Sequence, residues 1–242
     1  MSRPIHRLVV LSDAHLGAVP LPVEEALLRF LDQVPSLGDG LLLNGDLFGF
    51  WFAYRRAIPR TGIRVIGRMG ELARRIPVLM TGGNHDRWGD PFWEELGITY
   101  HPRELGFRLG ELTALAVHGD QVPGDFPGSR LKSALFQSRV ASLVYRLLPA
   151  ELGFRVTAPL ARPEPPDSKA AKRGAGLQHQ WATALLRNGA GPDLLIMGHT
   201  HRAIQAEPVP GRRYLNPGAW FDGGCYAIAT EDSIELSRFP GW

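Results

Sequence analysis

Thr81-Gly82-Gly83-Asn84-His85-Asp86-Arg87-Trp88 sets an amide, an imidazole and a carboxylate side by side, directly after the apolar run Pro77-Val78-Leu79-Met80. Two glycines let the backbone turn there and approach another group closely, because neither carries a Cβ. Asn84 is a candidate metal ligand, His85 a candidate proton donor and Asp86 a group that could orient it. Taken alone, the tripeptide reads equally well as a polar turn after a strand. The same kind of ending recurs along the chain, however. Asp13 and His15 follow Leu8–Leu11, Asp46 follows Leu41–Leu43, His118 follows Leu112–Val117, and His199 and His201 follow Leu194–Met197.

Seven candidate ligands (Asp13, His15, Asp46, Asn84, His118, His199 and His201) therefore stand at the ends of five apolar runs. In Asp13-x-His15 and His199-x-His201 the spacing puts both side chains on one side of an extended chain, so both can reach one ion. With oxygen and imidazole donors and no thiolate, the set suits Mn, Fe, Zn or Co. Two divalent ions against two carboxylates leave a surplus of positive charge that a bridging hydroxide and a phosphate would neutralise, with Asp46 the natural bridge. Ions about 3.5–4 Å apart can ionise a shared water and clamp an in-line displacement at phosphorus. His85 would protonate the leaving oxygen, with Asp86 fixing its tautomer. His6, His101 and His179 stand alone and read as ordinary polar residues.

The elements that must carry these residues alternate in the first half of the chain. Strands at Leu8–Leu11, Leu41–Leu43 and Pro77–Met80 are separated by helical patterns over Pro22–Val34 and Ile63–Arg75. That order favours a parallel sheet, with ligands at the carboxyl ends of its strands. A short helix is expected at Pro91–Leu96 and a hairpin at Phe107–Leu112. The segment 121–192 differs. Ser129–Leu148 has a broad apolar helical face, Pro163–Gly176 reads as a basic mobile loop, and Gly176–Asn188 returns to helix. Four short strands around Ile204, Tyr214, Tyr226–Ala229 and Ile234–Leu236 then follow, as in a mostly antiparallel sheet.

The 242 residues suit one domain carrying an insertion, and 44% hydrophobic with 21% charged residues is ordinary for a globular chain with a sizeable core. Cys225 is the only cysteine, which excludes an internal disulfide and predicts a reducing compartment. No signal-like segment or membrane-length apolar run is present, so a cytoplasmic location is expected, with peripheral contact at the inner membrane face left open. Arginine outnumbers lysine 24 to 3, but the arginines are scattered. Without a basic run interleaved with aromatics, no stable nucleic-acid complex is expected. The sequence does not set the oligomeric state.

Asp13-x-His15, Gly45-Asp46, Gly83-Asn84-His85-Asp86, His118-Gly119-Asp120 and Gly198-His199-Thr200-His201 together resemble the ordered motif set of the calcineurin-like metallophosphoesterases. The resemblance implies an α/β fold of two mixed β-sheets in a sandwich flanked by helices, and a dinuclear centre, often manganese. By motif position, Asp13, His15, Asp46 and His201 would hold one ion, and Asp46, Asn84, His118 and His199 the other. His85 and Asp86 match the acid and its partner. Asn44–Phe48 with Trp51, the helical insertion and His199-Thr200-His201-Arg202 further resemble the UDP-2,3-diacylglucosamine hydrolases. Those cleave a pyrophosphate to UMP and a lipid phosphate under such an insertion, although they typically carry arginine where His85 stands. The aromatic run Phe48–Phe52 would suit acyl chains or, equally, a core. The residues also admit a nuclease or cyclic-nucleotide phosphodiesterase, and a non-catalytic scaffold, although a decayed site should lack ligands and none is missing.

Overall fold

The computed structural model describes residues 3–52, 57–88, 91–122, 152–153 and 161–242. The apolar pattern Ser129–Leu148, in the first half of the 121–192 insertion, lies outside the described residues. Strands β1 (Arg7–Leu11), β2 (Gly40–Asn44), β3 (Val78–Thr81) and β4 (Thr99–His101) run parallel as neighbours, joined at the other edge by antiparallel β10 (Cys225–Thr230) and β11 (Ile234–Arg238). The second sheet has the order β5-β6-β7-β9-β8, from β5 (Glu104–Leu109), β6 (Leu112–Val117), β7 (Leu194–Ile196), β9 (Arg212–Pro217) and β8 (Ala203–Val209). Both sheets are mixed: β6-β7 and β7-β9 are parallel, β5-β6 and β8-β9 antiparallel.

Side-chain alternation along the strands divides the core. Leu8 and Val10 of β1 join Leu42, Leu79, Ala114, Leu194 and Ile196 between the two sheets. Val9 and Leu11 point the other way, toward α1 (Leu21–Leu37) and α2 (Ile63–Ala73), packing with Leu27, Phe30, Leu31, Val65 and Met69. On the far side of the second sheet, Leu195 and Tyr214 meet Ala182 and Leu186 of helix α4 (Lys169–Arg187). A short α3 (Phe92–Glu95) brings Trp93 against Tyr100. A strand buried on both faces reads as an unbroken apolar run, which is why β1, β2 and β7 are visible without alternation.

Two sequence expectations change, and one alternative left open is resolved. The basic stretch Lys169–Arg173 is the opening of α4, because the Ser168 side chain accepts from the Ala171 N–H at 3.0 Å and caps a helix whose first residues are strong helix formers. The four C-terminal strands do not share one sheet: β8 and β9 extend the second, β10 and β11 the first. Phe48 and Trp51 are core residues, stacked at 4.4 Å and continuous with Trp93.

Parallel pairing aims the carboxyl ends of β1, β2 and β3 at one edge, and those of β6 and β7 at the matching edge of the other sheet. Asn44, buried at the end of β2, stitches the two edges together. Its amide donates to the Val117 carbonyl at 3.1 Å, and its own carbonyl accepts from Ser12 Oγ at 2.8 Å and His118 Nδ1 at 2.9 Å.

Candidate metal centre

The chain leaves β1 through Asp13 and His15 with φ of 55° and 48°, and Asp46 (51°), His199 (68°) and His201 (60°) share this left-handed backbone. These five are the non-glycine residues with positive φ among the described residues, and all five are candidate ligands. Such a conformation costs about 1–2 kcal/mol for a residue with a Cβ and persists only where surrounding contacts impose it. The contacts are backbone bonds between the turns: Asp13 N–H to the Gly45 carbonyl at 3.1 Å, His15 N–H to Asp46 at 3.0 Å, and Gly198 N–H to His118 at 2.8 Å. Where the turns meet there is no room for more atoms. A Cβ on Gly83 would enter the Asp46 carboxylate, and one on Gly45 the His118 ring. Gly83→Ala is therefore expected to cost about 10²-fold in kcat/KM while leaving the far-UV spectrum unchanged; undiminished activity would mean the turns can part.

Each buried aspartate is held through one oxygen and aims the other inward. Asp13 Oδ2 accepts from the His199 N–H at 3.1 Å and from Ser12 Oγ, while Oδ1 faces His201 Nε2 at 3.2 Å, His15 Nε2 at 3.8 Å and His118 Nε2 at 3.9 Å. Asp46 Oδ1 accepts from the His85 N–H at 2.9 Å, while Oδ2 faces His118 Nε2 at 3.1 Å, His15 Nε2 at 3.8 Å and His85 Nε2 at 3.9 Å. Three overlapping triplets result, each with ligand atoms within 4.8 Å of one another: Asp13/His15/His201, Asp46/His118/His199 and His15/Asp46/His85. Asn84 brings a buried amide oxygen. Asp13 Oδ1, both His15 ring nitrogens, Asn84 Oδ1 and His118 Nε2 are buried and make no hydrogen bond. Buried polar atoms are rarely left so, and a cation is the partner that lone pairs of this kind fit.

Backbone carbonyls set the imidazoles. Nδ1 of His118 donates to Asn44, that of His201 to Glu164 at 2.5 Å and that of His85 to Gly49 at 2.8 Å, turning each Nε2 toward the carboxylates. His85 is the more open of the three, its side chain 18% exposed against 0% and 5% for His118 and His201. Asp86 does not touch the His85 ring. Its carboxylate accepts from the N–H groups of Gly83 (2.9 Å), Asp46 (3.2 Å) and Phe48 (3.3 Å), so it ties two turns together, and the Gly49 carbonyl selects the tautomer instead.

Charge within the centre is strongly coupled. Burial opposes ionisation of Asp13 and Asp46, but the imidazoles, His118 foremost, outweigh it and hold both carboxyls well below their ordinary range. Burial likewise opposes a charge on His118, yet Asp46 and Asp13 push it up to about 10. His201 is also raised, against burial, chiefly by Asp13. His15 falls to about 4 through burial, and Asp86 rises to about 7 through burial and the Asp46 charge. With both groups raised, protons compete with a metal for His118 and His201. Metal affinity is expected to rise with pH from about 6 toward 10, by up to about tenfold per unit for each proton displaced, read by titration calorimetry in buffers of different ionisation heat. The stability that protonated His118 gives the metal-free protein is complete below its ordinary 6.5 and is lost as pH rises through about 10, so metal-free Tm should fall over that range.

A motif reading gives the structural role of neither Asn44 nor Asp86, and it misses Arg87. Asn44 and Asp86 act through backbone partners, which spacing does not reveal. Arg87 is buried, donates to the Gly83 carbonyl at 3.0 Å and pairs with Asp120, bridging the β3 and β6 turns. The signal available for it was an arginine between a ligand turn and Trp88, weak without a fold. His6 and His101 are exposed and join none of the ligand groups; the His101 side chain accepts from the Glu104 N–H at 3.1 Å.

Similarity to known proteins agrees with this geometry. Residues 6–203 match the family model described as calcineurin-like phosphoesterase. UDP-2,3-diacylglucosamine hydrolase of Porphyromonas gingivalis is 26% identical, over 93% of this chain and 94% of that protein. The proteins of that name from Shewanella pealeana (25%; 97% and 98% covered) and Proteus mirabilis (26%; 95% and 98%) are similar over equal lengths. With a family match that takes in strands of both sheets and the whole ligand set, the chain belongs to the calcineurin-like phosphoesterases and is a metal-dependent hydrolase of phosphoric esters.

Proposed function

We propose that the protein is a dinuclear phosphoesterase that hydrolyses the pyrophosphate of a nucleotide-linked lipid, UDP-2,3-diacylglucosamine, to UMP and the lipid phosphate. The observation that carries the two-ion part is the pair of aspartates, each anchored through one oxygen and each presenting the other inward, Asp13 nearest His201 and Asp46 nearest His118, with His15 at 3.8 Å from both. Asp13, His15, Asp46 and His201 would hold one ion; Asp46, Asn84, His118 and His199 would hold the other. Mn2+ is the first choice for this oxygen-and-imidazole set, with Fe, Zn and Co also compatible. Bound there, the ions supply Lewis acidity toward a phosphoryl oxygen and lower the pKa of water. Asp46, shared by both groups, sets their spacing. His85 delivers a proton from Nε2 to the leaving oxygen while Gly49 holds its other nitrogen. Asp86 and the Arg87–Asp120 pair keep the Asn84–His85 turn against Asp46 and His118.

The named relatives support the substrate, at 25–26% identity over nearly the whole chain. A surface feature agrees with it: Leu21, Ile58 and Ile63 are exposed, and Ile58 and Ile63 alternate with exposed Arg60 and Arg64 in the stretch that follows the Asp46 turn and opens α2. Apolar side chains among cations suit a lipid-bearing anion. The part of the 121–192 insertion ahead of α4 would form a cap over its acyl chains and touch the inner membrane face peripherally from the cytoplasm, α4 itself being packed on the second sheet. No described helix is long and apolar enough to cross a membrane. A panel of Mn2+-loaded reactions with a phosphomonoester, a phosphodiester, a cyclic nucleotide and UDP-2,3-diacylglucosamine tests the reading. UMP release from the last is expected. Turnover confined to the diester or cyclic nucleotide would reassign the substrate to nucleotides without a lipid.

A further inference from the structure

Helix α4 buries a stripe of Ala171, Gly174, Ala175, Gln178, Ala182 and Leu186, spaced as one helical face. One member is polar. Gln178 is 0% exposed, and its neighbours on the stripe are small enough to let the helix approach the turns after β6 and β7 closely. A buried amide on an otherwise apolar face costs stability unless it is bonded, and this one is bonded through both its nitrogen and its oxygen. Nε2 donates to the Gly198 carbonyl at 3.1 Å. Oε1 accepts from Tyr214 Oη at 3.3 Å, and from Thr200 Oγ1 and Asn216 Nδ2 at 3.4 Å each. Asn216 Nδ2 reaches the same Gly198 carbonyl at 2.8 Å and Thr200 Oγ1 at 3.2 Å. The bonded residues Gly198 and Thr200 bracket His199, one of the strained positive-φ residues. On its other side, Gln178 Nε2 occupies the space a Cβ on Gly119 would need, next to His118.

We infer that Gln178 is a positioning residue for the second metal site: wedged between the His118-Gly119 and Gly198-His199-Thr200 turns, it fixes both histidines relative to Asp46. Asp13 Oδ2 accepts from the His199 N–H, but His201 is held separately through the Glu164 carbonyl, so the Asp13/His15/His201 group should feel the loss of Gln178 less. The inference rests on the two-ion reading. It also makes α4, which closes the insertion in sequence, part of the metal centre's frame.

The test is a titration of metal-free protein with Mn2+, followed by calorimetry and electron paramagnetic resonance. It compares wild type with Gln178→Met, which keeps the shape without the bonds, and Gln178→Glu, which keeps the acceptor and loses the donor. Wild type should bind two equivalents. Both variants should keep the first within about threefold and bind the second at least about tenfold more weakly, in the range seen when groups behind a metal ligand are removed. The spin-coupled two-manganese signal should fade in step. Should Gln178→Met not fold by thermal melt, Gln178→Glu carries the comparison. Two wild-type-like equivalents in the folded variant would overturn the role of Gln178, as would equal weakening of both sites. Fewer than two equivalents in the wild type would instead overturn the two-ion reading.

Discussion

Under the proposed two-ion mechanism, Asp46→Ala and His118→Ala are each expected to lower Mn2+-dependent diester hydrolysis by at least about 10³-fold, since both remove a group that would set the metal pair stabilising charge at phosphorus. The two losses should differ in metal content. Asp46 stands in two of the three ligand groups and is the carboxylate within 3.1 Å of His118 Nε2, so its removal should deplete both equivalents. His118 belongs to one group, and its loss should leave the Asp13/His15/His201 ion in place. The His118 ring is wholly buried and its Nδ1 is bonded to the Asn44 carbonyl, so alanine also leaves a hole and an unpaired carbonyl. Part of the effect could then be stability. His118→Asn, which can still donate toward Asn44, separates the two: folding should recover and activity should not. A fully active, metal-depleted His118→Ala enzyme would contradict the mechanism.

The second large effect belongs to His85, and it should depend on the substrate. With Nδ1 given to Gly49 and Nε2 at the open side of the cluster, 3.9 Å from Asp46 Oδ2, the ring can deliver a proton outward to a departing oxygen. General acids of this kind contribute about 10²–10⁴-fold, and they matter most when the leaving group is a poor one. His85→Ala should therefore cost about that much with an alkyl leaving group and only a few-fold with p-nitrophenolate. A plot of log kcat/KM against leaving-group pKa should steepen in the variant. Parallel lines would show that His85 serves as a ligand, for which the His15/Asp46/His85 triplet has the geometry. The resemblance to the UDP-2,3-diacylglucosamine hydrolases implies arginine at the place of His85, so His85→Arg addresses the substrate question directly. Under the proposed function it should retain pyrophosphate cleavage while losing the diester reaction.

Much of this site is legible in the sequence, for a physical reason. Strands buried on both faces leave unbroken apolar runs, and functional residues in such folds collect at their carboxyl ends. Asp13, Asp46, Asn84, His118 and His199 are thus recognisable from their places just past the end of each run. The positive φ of Asp13, His15, Asp46, His199 and His201 is not, since side chains rather than glycines take those turns. Strand β4 escapes because Thr99–His101 has three residues and one buried side chain, Tyr100, too little for a period to show. The start of α4 is hidden by a proline-rich approach and a cluster of lysines, while the Ser168 cap that decides it is a single residue. Asp86 looks like a partner for His85 because the two are adjacent. In the turn their side chains diverge, and the carboxylate finds three backbone N–H groups. Spacing identifies the groups able to do chemistry; it does not say which neighbours hold them.

Diffraction from crystals soaked in Mn2+, recorded near the manganese edge, bears most directly on the two-ion centre. Two anomalous peaks about 3.5–4 Å apart are expected. Asp46 should lie between them, with Asp13, His15 and His201 around one and Asn84, His118 and His199 around the other. A single peak at full occupancy, or a pair that leaves Asp46 to one side, would contradict the account.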